Sequence, residues 1–499
     1  MTQDNRASGS AGRAHLARNS KQAATFFIDG LKIEEAISKL HRADPKLSAR
    51  ALPLNIYTFG FALLMVLGIG AFLLGGAAKL IASLIIITPF ACAILLRLSA
   101  LISGICRSQH DAPALSDDEL PSYTILVPLF REDAIVLHLI EALDRLDYPR
   151  RKLQILLLLE EEDHATRAVL ERIDLGRHIS LVIIEKGKPQ TKPRALNVGL
   201  SLATGDLTCI YDAEDDPHPD QLRQVAALFA QSDKRFACLQ CPLNIYNSEV
   251  GPFAGFFALE YAALFHLLDP GLANLRLPVP LGGTSNHFRT DILREVHGWD
   301  AWNVTEDADM GIRLARRGYL VGTLSAPTYE EAPATLESWL LQRKRWMKGW
   351  MQTLCVLLRK PRLLIRELGI GRSLAVVMLL AGGVLGPLTW PIFTTLLFID
   401  IYQDRLFDFT NIGASVISLL WSGTALLGVV MAFVPLILGA RRCKITHLLI
   451  WLPLVPIFYL LLFVAAAMGL RDLFARPHYW DKTSHGHALQ KRPESPPFG

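Results

Sequence analysis

Five long stretches of this chain carry no charged residue, and nothing else in the sequence limits its fold as strongly. Residues 51–78, 80–96, 373–399, 409–440 and 445–470 are free of Asp, Glu, Lys and Arg, and the hydrocarbon core of a bilayer is spanned by about 20 mainly apolar residues. Two of these stretches precede a polar block and three follow it. With 51% hydrophobic residues overall, the chain is too apolar for an ordinary soluble enzyme, while the polar block is too large to belong in lipid. Part of the protein is therefore expected to fold in water.

The charges flanking the apolar stretches predict an orientation, because Lys and Arg accumulate on cytoplasmic flanks. Lys46 and Arg50 precede the first stretch, and Arg97 and Arg107 lie at the end of the second. Arg359, Lys360, Arg362, Arg366 and Arg372 precede the third. The connection from Asp400 to Asp408 is acidic, and Arg441, Arg442 and Lys444 are basic again. Residues 107–372 and the turn at 441–444 are accordingly expected in the cytoplasm. Parity then places the C-terminus outside, unless the last stretch, interrupted by Pro453 and Pro456, turns back; both arrangements stay open. The first 50 residues lack the apolar run and cleavage pattern of a removable signal peptide, and read as a polar tail with one short amphipathic helix around Leu31–His41.

The resulting division is a tail (1–50), two transmembrane helices (51–106), a cytoplasmic catalytic domain (107–355), an interfacial helix (356–372), about three transmembrane segments (373–470) and a C-terminal tail (471–499). Of seven cysteines only Cys238 and Cys241 are close in sequence, and a lone pair of this spacing favours packing over a metal or redox role.

From Pro121 onward, continuous apolar runs alternate with helical periodicity. Tyr123–Pro128, Leu153–Leu159, Leu181–Ile184 and Leu207–Tyr211 suit strands covered on both faces, and Ile135, Leu139, Leu143 and Leu146 suit a helix between them. The pattern predicts a mostly parallel α/β sheet, in which ligands bind at the carboxyl ends of the strands. Polar clusters follow those ends: Arg131-Glu132-Asp133, Glu160 to Asp163, and Asp212 to Asp216.

Four clusters could carry chemistry. In an extended Asp212-Ala213-Glu214 both acids would project to one side and could share a hard divalent cation; a solvated acidic turn explains them equally well. Lys192 and Arg194 open a helix continuing to Leu202, where cations could neutralise phosphate or pair with neighbouring acids. Thr305-Glu306-Asp307 begins a helix running to Arg317, and capping by Thr305 with acids in the first turn is a sufficient explanation by itself. Some 35 residues further on lies Gln342-Arg343-Lys344-Arg345-Trp346, combining a permanent charge, an amide and a flat apolar ring suited to sugar. A basic, aromatic helix at the membrane surface describes the same stretch.

Taken in order, Asp212-Ala213-Glu214, Thr305-Glu306-Asp307 and Gln342-Arg343-Lys344-Arg345-Trp346 resemble the signature of processive family 2 glycosyltransferases of the cellulose synthase type, over roughly residues 95–485. The likeness is strongest to bacterial exopolysaccharide and β-glucan or mannan synthases. It implies an α/β GT-A nucleotide-sugar domain inserted between transmembrane α-helices. It also implies an inverting hexosyltransferase that uses a UDP- or GDP-hexose donor, a growing polysaccharide acceptor and Mg2+ or Mn2+. By the resemblance, Asp212 and Glu214 hold the metal, although the second acid is usually Asp. Asp307 is the general base beside Glu306, Glu132 borders the nucleobase, and Glu160 and Glu161 stand where an Asp contacts the nucleotide. Lys192 lies near the phosphates, Gly283, Thr284, Ser285 and Asn286 form the acceptor-end loop, and Gln342, Arg345 and Trp346 hold acceptor and diphosphate. Trp480-Asp481-Lys482-Thr483-Ser484-His485-Gly486 looks like the family's tail. The implied setting is the inner (plasma) membrane, multi-pass, with the lipid bilayer and periplasmic export subunits as partners and no nucleic acid. Transfer of one sugar to a polyprenyl phosphate, or a non-catalytic membrane scaffold, are the rival readings.

Overall fold

The structure is a computed structural model, and it describes residues 24–54, 66, 76–106, 113–404 and 406–480. Most of the first apolar stretch, and the tail motif beyond Trp480, lie outside the described residues.

Eight strands form one central sheet: β1 (Ala24–Ile28), β2 (Tyr123–Leu129), β3 (Leu153–Glu160), β4 (Ile179–Ile184), β5 (Leu207–Ile210), β7 (Phe236–Gln240), β9 (Asn286–Arg289) and β10 (Leu320–Thr323), in the order β1-β4-β3-β2-β5-β9-β7-β10. A second sheet joins β6 (Asp216–Pro217), β11 (Thr328–Glu330) and β8 (Leu243–Ile245). The continuous apolar runs do become parallel strands, with Leu126 opposite both Leu156 and Ile210. Both faces are covered, as such runs require. Leu126, Leu156, Leu158 and Val182 pack on one side against helix α1 (Gly30–Ala43) and helix α3 (Lys192–Leu202). Ile125, Val127, Ile155 and Leu157 pack on the other, with Leu139 and Leu143 of helix 136–144. Each such side chain contributes about 1.5–3 kcal/mol relative to exposure.

Two features depart from the expected sheet. β9 runs antiparallel between β5 and β7, so the sheet is mixed. β1 pairs in parallel with β4, Phe26 opposite Val182, so the segment read as a polar tail also supplies the edge strand. α1 covers the Leu31–His41 helix expected there.

Among the described residues, four helical segments are long and apolar enough to cross a membrane: Leu80–Ile105, Pro361–Tyr402, Ile412–Arg442 and Thr446–Ala475. The first lies within α2 (Gly76–Ile105). Between the catalytic domain and the later spans lies α6 (Leu336–Leu358), opened by a capping box between Thr335 and Ser338. α7 (Pro361–Tyr402) bends at Gly369, whose φ of 76° no helix accommodates.

The last apolar segment packs against the catalytic domain at both ends. It follows α8 (Ile412–Arg442), whose Arg442 donates to the Gly104 carbonyl at 3.1 Å, beside the catalytic domain. It ends with α9 (Val455–Ala475), lying along α6. Beyond it, Lys348 Nζ donates to Tyr479 O at 2.6 Å and Gln352 Nε2 to Pro477 O at 3.0 Å. Both ends of the segment therefore lie beside the catalytic domain.

Candidate active site

The site sits at the carboxyl ends of β2, β3 and β5, where a cavity of about 1810 Å³ opens and continues between the membrane helices. Its centre is defined by Gly283: a Cβ placed there would lie 3.4 Å from Asp307 Oδ2, 3.8 Å from Lys192 Nζ and 4.0 Å from Asp212 Oδ2. Three chemically distinct groups, spread over 115 residues of sequence from 192 to 307, thus surround one backbone unit. A side chain at 283 would occupy the space they share.

β5 delivers Asp212. The 212–216 segment is not extended as expected but closes a turn, with Asp215 N–H donating to Asp212 O at 3.2 Å. Asp212 and Glu214 nevertheless both line the cavity. Asp215 turns inward, accepting from the Asp212 N–H at 2.7 Å and from the Thr284 hydroxyl. The first turn of α3 supplies Lys192, whose Nζ lies 2.5 Å from Asp212 Oδ1 and donates to Gly283 O at 2.7 Å. Burial alone depresses this ammonium, but Asp212, Glu306 and Asp307 outweigh it and raise its pKa. Glu214 is pushed up to about 8 by burial and then by the Asp212 charge. Glu306 is pushed up to about 7 by burial and by Asp307. Burial also raises Asp307 above the usual carboxylate range.

Helix α5 (Glu306–Arg316) presents Asp307 at its start. The Thr305 side chain makes no capping hydrogen bond, so the capping explanation fails for this threonine; Asp307 Oδ1 instead accepts from Ala308 N–H at 2.7 Å. The preceding loop is tied to α6: Val304 N–H donates to Gln352 Oε1 at 3.0 Å and Asn303 Nδ2 to Thr353 Oγ1 at 2.8 Å. The same helix carries Gln342, Arg345 and Trp346, all on the cavity wall. Gln342 is buried, and among the described residues its Oε1 has no hydrogen-bond partner. Arg345 lies 5.2 Å from the Trp480 ring. Arg343 is structural: it pairs with Glu260 at 2.5 Å and stacks over Phe257 and Trp346 at 5.0 and 4.6 Å.

The remaining expected residues divide. Glu132 lines the cavity, as do Gly283 and Thr284. Glu160 also reaches it, but is held by Arg194, with Nη1 2.9 Å from both carboxylate oxygens. Glu161 is exposed and off the cavity wall, between Glu160 and Glu162, which both line it; the Lys186 N–H reaches its carboxylate at 3.4 Å. Ser285 and Asn286 are buried off the wall as well, Ser285 bonding Thr328 and Asn286 donating to Gly282 O at 2.5 Å. Asn286 starts β9 and Ser285 immediately precedes it, so both shape the loop from behind.

Sequence reasoning missed Tyr261 and Glu330. Tyr261, from α4 (Pro252–Ala263), stacks parallel to Trp346 with centroids 6.4 Å apart. Glu330 lines the cavity from β11, its carboxyl raised by burial and by Glu214 and Asp212. The apolar Glu260-Tyr261 helix has no periodicity to flag a functional face, and the Glu330-Glu331 pair was the only hint of the second.

Residues 208–469 match the family profile described as glycosyl transferase family group 2, and residues 124–282 match that of glycosyl transferase family 2. The beta-monoglucosyldiacylglycerol synthase of Synechocystis is 28% identical over 240 residues, 46% of this chain and 48% of that protein. The UDP-forming cellulose synthase catalytic subunit of Xanthomonas axonopodis pv. citri is 27% identical over 254 residues, 49% of this chain and 34% of its own length. The chain spans about half the length, or less, of the curated relatives it matches. The mannosyltransferase PcManGT of Pyrobaculum calidifontis, solved with GDP-Man and Mn2+, superposes with a TM-score of 0.50 at 19% identity, covering 80% of this chain and 99% of that one. This likeness shows a GT-A-like fold, here flanked by long apolar helices. The family profile covers more than half of the sequence, and the chain belongs to glycosyl transferase family group 2.

Proposed function

We propose that this protein transfers a hexosyl group from a UDP- or GDP-hexose to an acceptor hydroxyl with inversion, extending a β-linked exopolysaccharide that leaves through the membrane helices. One observation carries the reading: a single cavity joins Asp212 and Glu214, Asp307, and Gln342, Arg345 and Trp346 to Trp390 and Trp421 in the apolar helices. An enzyme that only decorated soluble acceptors would not need its catalytic cavity to continue there. The setting that suits this reading is a plasma membrane with the catalytic domain on the nucleotide-rich cytoplasmic side, matching the basic flanks.

Asp307 takes the acceptor proton as the hydroxyl oxygen attacks the anomeric carbon. The bond from that carbon to the diphosphate oxygen breaks, and the nucleoside diphosphate leaves with the electron pair. A base works best with its pKa near the working pH, and burial moves Asp307 in that direction. Arg345 and Lys192 offset the charge developing on the leaving group, while Trp346, backed by Tyr261, gives the acceptor ring a flat support.

Among the described residues no three His, Cys, Asp or Glu side chains converge as a ready metal site. The donor set still fits a divalent cation completed by the donor's own oxygens. Asp212, Glu214 and Glu330 crowd together against Lys192, and their mutual repulsion shows in the raised Glu214 and Glu330. Asp212 and Glu214 would hold Mg2+ or Mn2+, whose chemistry is to neutralise diphosphate oxygens.

A second reading, one transfer to a lipid carrier, is favoured by the largely aliphatic and aromatic lining beyond Trp346. The test is Asp307→Asn in membrane vesicles supplied with radiolabelled nucleotide sugars. Incorporation should fall 10²- to 10⁴-fold with nucleotide binding intact. Product length then separates the readings, and unchanged incorporation would remove Asp307 from the mechanism.

A further inference from the structure

Asp269 lines the cavity and is only 2% exposed, yet the transfer chemistry gives it no part. Among the described residues its carboxylate has no hydrogen bond or ion pair. Leu268 and Leu272 line the cavity with it and belong to one apolar cluster with Ala100 and Leu281. Burial alone acts on the group and raises its pKa well above the usual carboxylate range. A buried polar group without a partner is costly and calls for an explanation. Helix capping does not supply one: Leu268 has helical dihedrals, φ −72° and ψ −49°, so Asp269 lies inside a continuous helical run from α4 to Asn274, where the backbone N–H groups are already used. That run is deformed just before it. Leu264–Leu268 form a π turn in which the Asp269 N–H bonds Leu264 O, five residues back, and such turns occur frequently at functional sites.

Along the same run Tyr261 stacks on Trp346, Phe265 meets Tyr261 edge-on with centroids 5.0 Å apart, and both line the cavity with Asp269. Phe265 reaches the catalytic centre: a Cβ placed on Gly282, next to the Gly283 that Asp307, Lys192 and Asp212 surround, would lie 2.9 Å from its Cζ. Asp269 stands one turn further on, about 6 Å along the axis. A lone carboxylate does not enclose a cation, and among the described residues no three acids, His or Cys converge as a metal site. It can accept several hydrogen bonds, which saccharide hydroxyls donate, and an aromatic ring such as Phe265 offers a sugar a flat apolar face. We infer that Asp269 accepts hydrogen bonds from hydroxyls of the acceptor saccharide at a unit set back from the transferring end, so that Tyr261, Phe265 and Asp269 grip the acceptor at more than one position. This deepens the proposed transfer and rests on it. Asp269 is a binding residue with no share in the chemical step, so its effect belongs in the acceptor KM rather than the donor KM.

Purified full-length protein in detergent is given radiolabelled UDP-glucose or GDP-mannose with cellotetraose or mannotetraose as acceptor, and acceptor KM, donor KM and thermal unfolding are measured on the same samples. Asp269→Leu, similar in size and apolar, should raise the acceptor KM about tenfold more than the donor KM, the worth of a hydrogen bond to a charged group, and should melt no lower than wild type because an unpaired buried acid is gone. Asp269→Asn, whose amide oxygen still accepts, should give a smaller rise. An acceptor KM unchanged in Asp269→Leu overturns the inference, as does a lowered melting temperature with both KM values shifted alike, the mark of a purely structural acid. A wild type that releases nucleotide but lengthens neither tetraose also overturns it. Absence of any nucleotide release by wild type would count against the transferase reading itself, whereas release and transfer with an unmoved acceptor KM would count against the Asp269 subsite alone.

Discussion

Gly349→Ala gives the sharpest test of how the site is assembled. Gly349 lies inside α6, where glycine is disfavoured by about 1 kcal/mol relative to alanine, so alanine ought to stabilise the helix if space allowed. It does not: a Cβ at 349 would stand 2.3 Å from Thr305 Oγ1, 2.4 Å from Thr305 Cγ2 and 2.7 Å from Thr305 Cβ. Carbon contacts are comfortable near 3.5–4.0 Å, so helix and loop must part by about 1 Å. The two sides of that contact are the helix carrying Gln342, Arg345 and Trp346 and the residue immediately before Glu306-Asp307. Overpacking costs about 1–3 kcal/mol, and the helix-propensity gain returns about 1, leaving a net loss of roughly 0–2 kcal/mol in stability. Catalysis should suffer more, because a displacement of about 1 Å of reacting groups can lower the rate 10²-fold. Nucleotide release and thermal unfolding are measured on the same detergent-purified samples. Gly371→Ala, where a Cβ meets nothing within 4 Å, should leave both unchanged. Adding Thr305→Gly to Gly349→Ala removes all three clashing atoms and should recover most of the activity. Full activity of Gly349→Ala alone, with no change in melting, would refute the claim that this contact sets the distance between base and acceptor support.

Three further outcomes follow from the same structure. Arg194→Ala leaves Glu160 buried without its partner and should cost about 3–5 kcal/mol in chemical denaturation, whereas replacing both with apolar residues should cost less. His287 is pushed down to about 3 by burial, while in the unfolded chain it titrates near 6.5. Stability should therefore be complete above pH 6.5 and fall as acid protonates the unfolded chain, by about 1.4 kcal/mol per pH unit down towards 3. His287→Gln should flatten that part of the pH–stability curve. Glu214, with its carboxyl at about 8, must lose a proton to bind a cation, so Mn2+ should raise the melting temperature more at pH 8 than at pH 6; an equal rise at both would remove Glu214 from the metal site.

Strand positions were legible because the parallel strands are apolar on both faces: Tyr123–Leu129 and Leu153–Glu160 differ from the expected runs by a residue at one end. β1 was not, since Ala24–Ile28 is an isolated five-residue run with half-exposed residues inside a polar terminus. The motif residues were legible as types but not as partners. Nothing in the order of Asp212, Glu306 and Arg345 says that Lys192 answers the acids, that Glu160 is occupied by Arg194, or that Arg343 serves Glu260 while its neighbour Arg345 faces the cavity. The last of these assignments depends on which side of α6 meets α4 and α9, and a helix buried on so much of its surface has no amphipathic stripe from which to read it.

The same limit applies at the membrane boundary. Basic residues were read there as orientation signals, a reading that sums charges over a flank and is indifferent to where each one points. The structure separates them: Arg359 donates to Pro45 O at 2.8 Å and to Ala51 O at 2.7 Å, fastening the start of the first apolar stretch to α6. Arg442 fastens α8 to α2 through Gly104 O. Arg97 lines the cavity. Charge counting predicts that all three are interchangeable with Lys at no cost beyond topology. The geometry predicts otherwise: Arg359→Lys cannot keep all three simultaneous carbonyl contacts, to Pro45, Ser48 and Ala51, and should loosen the terminus against proteolysis. If Arg359→Lys left the terminus as resistant to protease as in wild type, the reading of this charge as a tie between the terminus and α6 would fail.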